Sequence, residues 1–113
     1  MTLPRAARLL RRREFLTVQQ RGRKLYAGEV LVLGLDAGRA RPRIGITVSS
    51  KIANAVGRNR VKRWVREAFR AAQAELPPVD FVVIARRGAP AMGLEGARRA
   101  MEAARNALAG ARA

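Results

Sequence analysis

The sequence predicts an α+β domain, one sheet with helices packed against it. Strand-sized apolar runs occur at residues 29–35 (EVLVLGL), 43–49 (RIGITVS) and 80–86 (DFVVIAR). Helical periodicity fills the stretch between the last two and the chain after them. The length of 113 residues accommodates one domain.

Residues 12–20 read as a short helix, with Phe15, Leu16 and Gln19 on adjacent faces and Arg21-Gly22-Arg23 as its stop. The run at 29–35 is apolar on both faces, which marks a covered, central strand. Asp36-Ala37-Gly38 opens a turn that reaches Pro42. In 43–49 the residues alternate: Ile44, Ile46 and Val48 point one way, and Gly45, Thr47 and Ser49 the other. That second face is shallow, suited either to an extended ligand or to a closely packed helix. A long helix follows over 56–76 and ends at Pro77-Pro78. After strand 80–86 and a loop at 88–90, a helix over 94–108 carries Leu94, Met101 and Leu108 at heptad-like spacing. A strand-helix-strand passage over 43–86 implies a parallel pair. The element order is helix, two or three strands, helix, strand, helix.

Charge points to the partner. Lysine and arginine number 24 against 8 acidic residues, a formal net charge of +16. A core cannot hold such an excess, so it lies on the surface and calls for a polyanion. Of the 24, 21 are arginine, whose planar fork grips phosphate at two points and stacks on bases. A GC-rich coding sequence accounts for some of the preference for arginine over lysine, but not for the imbalance of sign. With no cysteine and no histidine, disulfides, the usual zinc sites and a histidine base are excluded. No run approaches a membrane span and no apolar segment marks a secretory signal, so a cytoplasmic protein with no membrane partner is expected.

The long helix carries the sharpest signal. At 100° per residue, Val61, Val65, Ala68, Phe69 and Ala72 share one arc, with Trp64 at its edge. Arg58, Arg60, Lys62, Arg63, Arg66 and Arg70 occupy the rest with Asn59, offset only by Glu67. Like charges at i,i+4 cost a few tenths of a kcal/mol per pair unless a polyanion screens them. A membrane-surface helix would favour Leu, Phe and Trp where this one has Ala and Val. A DNA-reading helix would aim a few polar side chains at base edges rather than spread six cations.

The stretch SKIANAVGRNRVKRWVREAF at 50–69 resembles the signature of the protein subunit of bacterial ribonuclease P. The core is Arg58-Asn59-Arg60, followed by Lys62-Arg63 and Arg66, with Lys51 and Asn54-Ala55-Val56 ahead of it. Phe15, Gly22, RIGITVS and DFVVIAR flank it at the expected distances. The resemblance implies a sheet of about four strands in the order α-β-β-β-α-β-α, with an unusual left-handed βαβ crossover against the usual rule. It implies a subunit assisting endonucleolytic removal of the 5′ leader from precursor transfer RNA. The catalytic RNA would be contacted by Asn54, Arg58, Asn59, Arg60, Lys62, Arg63 and Arg66. The leader would lie in a cleft with Phe15, Gln19, Val30, Lys51, Arg86 and Arg87. Gln19 and Val30 stand near positions where the family commonly has aromatics, and Tyr26 is a possible replacement. Ser50 and Ala53 depart from a frequent lysine and glycine.

The chain itself has no evident nuclease site. Its eight carboxylates (Glu14, Glu29, Asp36, Glu67, Glu75, Asp80, Glu95 and Glu102) are scattered, whereas two-metal hydrolysis needs them clustered. No catalytic residue and no protein-bound cofactor are expected, and the Mg2+ of the reaction is expected on the RNA. Composition and fold class fit a structural RNA-binding protein such as a small ribosomal protein equally well. Only the 58–69 motif in its flanks separates the two.

Overall fold

The computed structural model describes residues 3–9 and 11–108. Its strands are β1 (Arg23–Ala27), β2 (Val30–Leu35), β3 (Arg43–Thr47) and β4 (Asp80–Ala85). Its helices are α1 (Arg12–Arg21), α2 (Ala55–Ala72) and α3 (Gly93–Leu108), with short 3-10 turns at Arg5–Ala7, Gln73–Glu75 and Ala89–Ala91. The strands lie in the order β1-β2-β4-β3. β2 pairs antiparallel with both β1 and β4, while β3 and β4 are parallel and joined by α2. The result is the expected α+β domain with a four-stranded mixed sheet and three helices.

Apart from Asp80 at the start of β4, β2 and β4 carry apolar residues and glycine on both faces because elements pack on each side of them. On one side Val30, Val32, Phe81, Val83 and Ala85 join the main core, where Val61, Val65 and Phe69 of α2 meet Ala97, Met101 and Leu108 of α3. The rings of Phe69 and Phe81 pack edge to face at 6.4 Å. On the other side Leu33 and Val82 form a smaller cluster with Leu9 and Val18, flanked by Phe15, Leu31 and Ile84. α1 lies over this second face.

Three elements differ from expectation. β1 was not delimited by its sequence: Leu25 and Ala27 turn inward, while Arg23, Lys24 and Tyr26 are exposed. A short edge strand with charges outward protects its free edge and reads like a loop. α2 stops at Ala72, and Gln73–Glu75 tightens into a 3-10 turn before the prolines. In α3, Met101 and Leu108 are buried but Leu94 is only half-buried. The remaining buried positions are Ala97, Ala100 and Ala104, whose small side chains let α3 approach α2.

Among the described residues one charged side chain is buried. Asp80, 4% exposed, opens β4 beside Arg43, its register partner on β3. The guanidinium of Arg43 donates from Nε and one terminal nitrogen to the two Asp80 oxygens at 2.8 and 2.7 Å. Its other terminal nitrogen reaches Glu14 of α1 at 3.1 Å. The hydrogen bonding to the Asp80 carboxylate is the main cause that raises the Arg43 pKa, so this side chain stays charged. Removing one member of a buried pair strands the other. Asp80→Ala is therefore expected to cost about 3 kcal/mol in urea unfolding, whereas replacing the exposed Glu102 by Ala should change stability by less than about 0.5 kcal/mol.

Candidate nucleic-acid interface

α2 starts at a capped end. The Asn54 side-chain oxygen accepts from the Gly57 N–H at 2.9 Å, satisfying a donor that the helix cannot pair. A methyl group at Gly57 would lie 2.8 Å from the Cβ of Ala53, so close folding of the preceding loop explains a glycine that helix propensity disfavours. Of the residues expected to face the catalytic RNA, Asn54 thus commits its carbonyl oxygen to the helix. Arg58 folds back and donates to the Ala53 carbonyl at 2.9 Å.

The rest of the basic arc divides in two. Asn59, Arg60, Arg63 and Arg70 are exposed, while Lys62 and Arg66 are half-buried. The apolar arc lies as its periodicity predicts, with Val61, Val65, Ala68 and Phe69 buried. Among the described residues, none of the six helix cations takes part in an ion pair, and Glu67 neutralises none of them directly. Lys62 turns out to border a cleft rather than the outer face alone.

That cleft lies along the β3 edge of the sheet, between α1 and the start of α2. It encloses about 430 Å3 between Arg12, Phe15, Leu16 and Gln19 of α1 and Ile46, Thr47 and Val48 at the end of β3, with Lys62 at its rim. α1 reaches it obliquely, from Glu14 beside Arg43 at one edge of the sheet to Gly22 beside Gly34 at the β1–β2 side. Gly45 sets how close α1 comes: a methyl group there would sit 2.5 Å from the Phe15 ring. The shallow face of β3 therefore serves both uses: Gly45 takes a packed helix and Thr47 stays open to the cleft.

Beyond α1 the sheet exposes one cross-strand row. Register places Thr47 beside Ile84, Ile84 beside Leu31, and Leu31 beside Tyr26. At about 4.8 Å per strand the row extends for about 14 Å. Three of its members are half-buried, and Tyr26 at the far end is 65% exposed. The Arg86 guanidinium lies over the Tyr26 ring, 5.2 Å from its centre, and donates to the Gly28 carbonyl at 3.4 Å. Cleft and row together make a groove floored by Thr47, Ile84 and Leu31.

The structure brings Phe15 and Gln19 together in this groove and puts Arg86 at its far end. Lys51 and Arg87 are exposed just past the parallel strands, at the same end of the sheet as Arg86 and the start of α2. Val30 is a correction. It is fully buried in the main core beneath α2 and α3, and the groove-facing residue is its neighbour Leu31. Side chains alternate along a strand, so an offset of one residue exchanges faces. Arg12, Leu16, Thr47, Leu31 and Ile84 were missed. Alternation in 43–49 had marked Thr47, but nothing in the sequence ties the others to one groove.

A protein-family model described as Ribonuclease P matches residues 3–109. The ribonuclease P protein component of Photorhabdus laumondii is 43% identical over 89 residues, covering 78% of this chain and 75% of that protein. That of Escherichia coli is 42% identical over the same length and shares. The ribonuclease P protein of Staphylococcus aureus superposes with a TM-score of 0.81 at 28% identity, over 91% of this chain and 95% of that one. The Thermotoga maritima protein gives a TM-score of 0.76 at 34% identity, over 85% and 92%. The chain belongs to the ribonuclease P protein family, whose members are protein components of the endoribonuclease that processes the 5′ end of transfer RNA.

Proposed function

We propose that this chain works within ribonuclease P by docking on the catalytic RNA through α2 and holding the precursor 5′ leader in the groove beside α1. Membership of the family implies partnership with the ribonuclease P RNA. The observation that carries the docking surface is the run of six cations along α2 with no acidic partner among the described residues. Phosphates of a folded RNA would screen that run, and counterion release would drive the association. Arg60, Arg63 and Arg70 are exposed on the outer side of α2, while Lys62 links the helix to the groove.

The groove suits a single strand. Its floor is Thr47, Ile84 and Leu31, and cations stand at both ends: Arg12 and Lys62 at one, Arg86 at the other. Phe15 is packed against Gly45 and Leu9, so one edge of its ring is committed to the fold. Tyr26 is the freer aromatic, and a base laid on its open side would continue the stack that Arg86 begins. Lys51 and Arg87 would meet phosphates at the end of the sheet they share.

Chemistry would reside in the RNA, in the cytoplasm, with Mg2+ held there. The protein's part would be to lower phosphate repulsion and position the substrate, which is an electrostatic contribution and depends on salt.

The direct test is cleavage of precursor transfer RNA by a bacterial ribonuclease P RNA at low magnesium, with and without this protein. Restored cleavage by a protein that is inert alone supports the reading; binding without rescue would reduce it to a structural RNA-binding protein. Charge reversal at Arg60 or Arg63 is expected to weaken binding to the catalytic RNA about tenfold while leaving the melting temperature unchanged. Tyr26→Ala should weaken long-leader precursors about tenfold in a filter-binding assay and leaderless ones hardly at all.

A further inference from the structure

α1 divides the groove from a second cavity. Arg12, Phe15, Leu16 and Gln19 face the groove, whereas Arg11 and Glu14 lie about a third of a turn away around the helix and border a cavity of about 540 Å3. Its other charged walls are Arg5 and Arg8 from the N-terminal segment, Arg39 from the β2–β3 loop, and Arg43 from β3. The N-terminal segment is built into the fold here: Arg8 bridges to Ile44, and the Leu9 N–H donates to the Ile44 carbonyl at 2.9 Å.

Five arginines therefore line one open depression. The carboxylates close by already serve the wall. Asp80 takes two hydrogen bonds from Arg43, and Glu14 takes one from Arg43, one from the Arg11 backbone N–H at 3.1 Å, and an ion pair with Arg39 at 3.7 Å. Among the described residues Arg5, Arg8 and Arg11 make no ion pair. The Nε of Arg8 is buried and has no hydrogen-bond partner among the described residues. Such a donor is costly in a finished interior and useful in an unfilled site.

We propose that this cavity is a phosphate-binding cage, distinct from the groove and from α2, that takes a phosphate of a bound RNA strand. A tetrahedral oxyanion accepts from several directions at once, which suits donors converging from the N-terminal segment, the start of α1, a loop and a strand. Glu14 and Asp80 hold Arg43 and Arg39 in place before any ligand arrives, so the cage is preorganised. Arg5, Arg11 and Arg39 are exposed at its rim, which leaves the cavity open to a polymer as well as to a small ion. The phosphate chemistry rests on the cage alone, and only its source rests on the RNA-binding reading above.

The test uses the full chain. Inorganic pyrophosphate is titrated while the Arg8 Nε–H resonance is followed by NMR, and binding to ribonuclease P RNA is measured as a function of salt for the wild type, Arg5→Glu and Arg39→Glu. Both substitutions lie at exposed positions, and the melting temperature of each variant shows that it is folded. The expected result is a saturable shift of the Arg8 signal, a loss of at least about tenfold in pyrophosphate affinity in each variant, and an RNA salt slope smaller by about one unit. Pyrophosphate binding with an unchanged RNA slope would overturn the RNA source and leave a free-phosphate site. An Arg8 signal that does not respond to pyrophosphate would overturn the cage itself. Neither of those failures touches cleavage rescue, which tests the subunit reading separately.

Discussion

The fork that Arg43 makes around Asp80 holds three elements at once. It joins the first residues of the two parallel strands and, through Glu14, ties α1 to the sheet. A charge buried beneath a helix is tolerable only with its partners in good geometry, so few placements of α1 satisfy it. Because α1 is anchored at that end of the sheet, the opposite end remains uncovered. The groove is thus the area that an electrostatic anchor keeps α1 from occupying.

Small residues complete the arrangement. Gly45 lets the Phe15 ring settle on β3, bringing α1 close on one side while Thr47, two residues further, stays open. On the other face of the sheet, alanines along α3 let it pack tightly against α2, which keeps the basic arc of α2 turned to solvent. Basic surface thus arises on two sides of one sheet from the same economy: bulky side chains fill the two interiors, and arginine borders both. The parallel β3–β4 pair brings Lys51, Arg87 and the start of α2 to one end, since the carboxyl ends of parallel strands coincide there.

Much of this was legible in the sequence. β2, β3 and β4 were marked by apolar runs, and α2 by an apolar arc set against six cations, because burial on a regular element leaves a periodic trace. β1 left none, since only Leu25 and Ala27 turn inward and its charged residues look like loop. The groove was legible at Phe15 and Gln19 and misread at Val30, where the run 29–35 is apolar on both faces and offers no alternation to choose between them. Tyr26 could not be placed without the pairing that sets it beside Leu31. The arginines around Glu14 come from residues 5 to 43, and their convergence depends on a contact between the N-terminal segment and β3 that no local pattern encodes.

The unneutralised face of α2 has a thermodynamic consequence for the free chain. Cations held at fixed positions on a folded helix repel one another more than the same residues spread along an unfolded chain, so the charge of the surface works against the fold. A polyanion that binds only the folded form reverses this and adds stability as RT ln(1 + [L]/Kd). The equilibrium between folded and unfolded chain therefore tracks the concentration of its nucleic-acid partner. Chain in excess of that partner would be the fraction most open to proteolysis, so mass action by itself would tend to hold the two components near equal amounts.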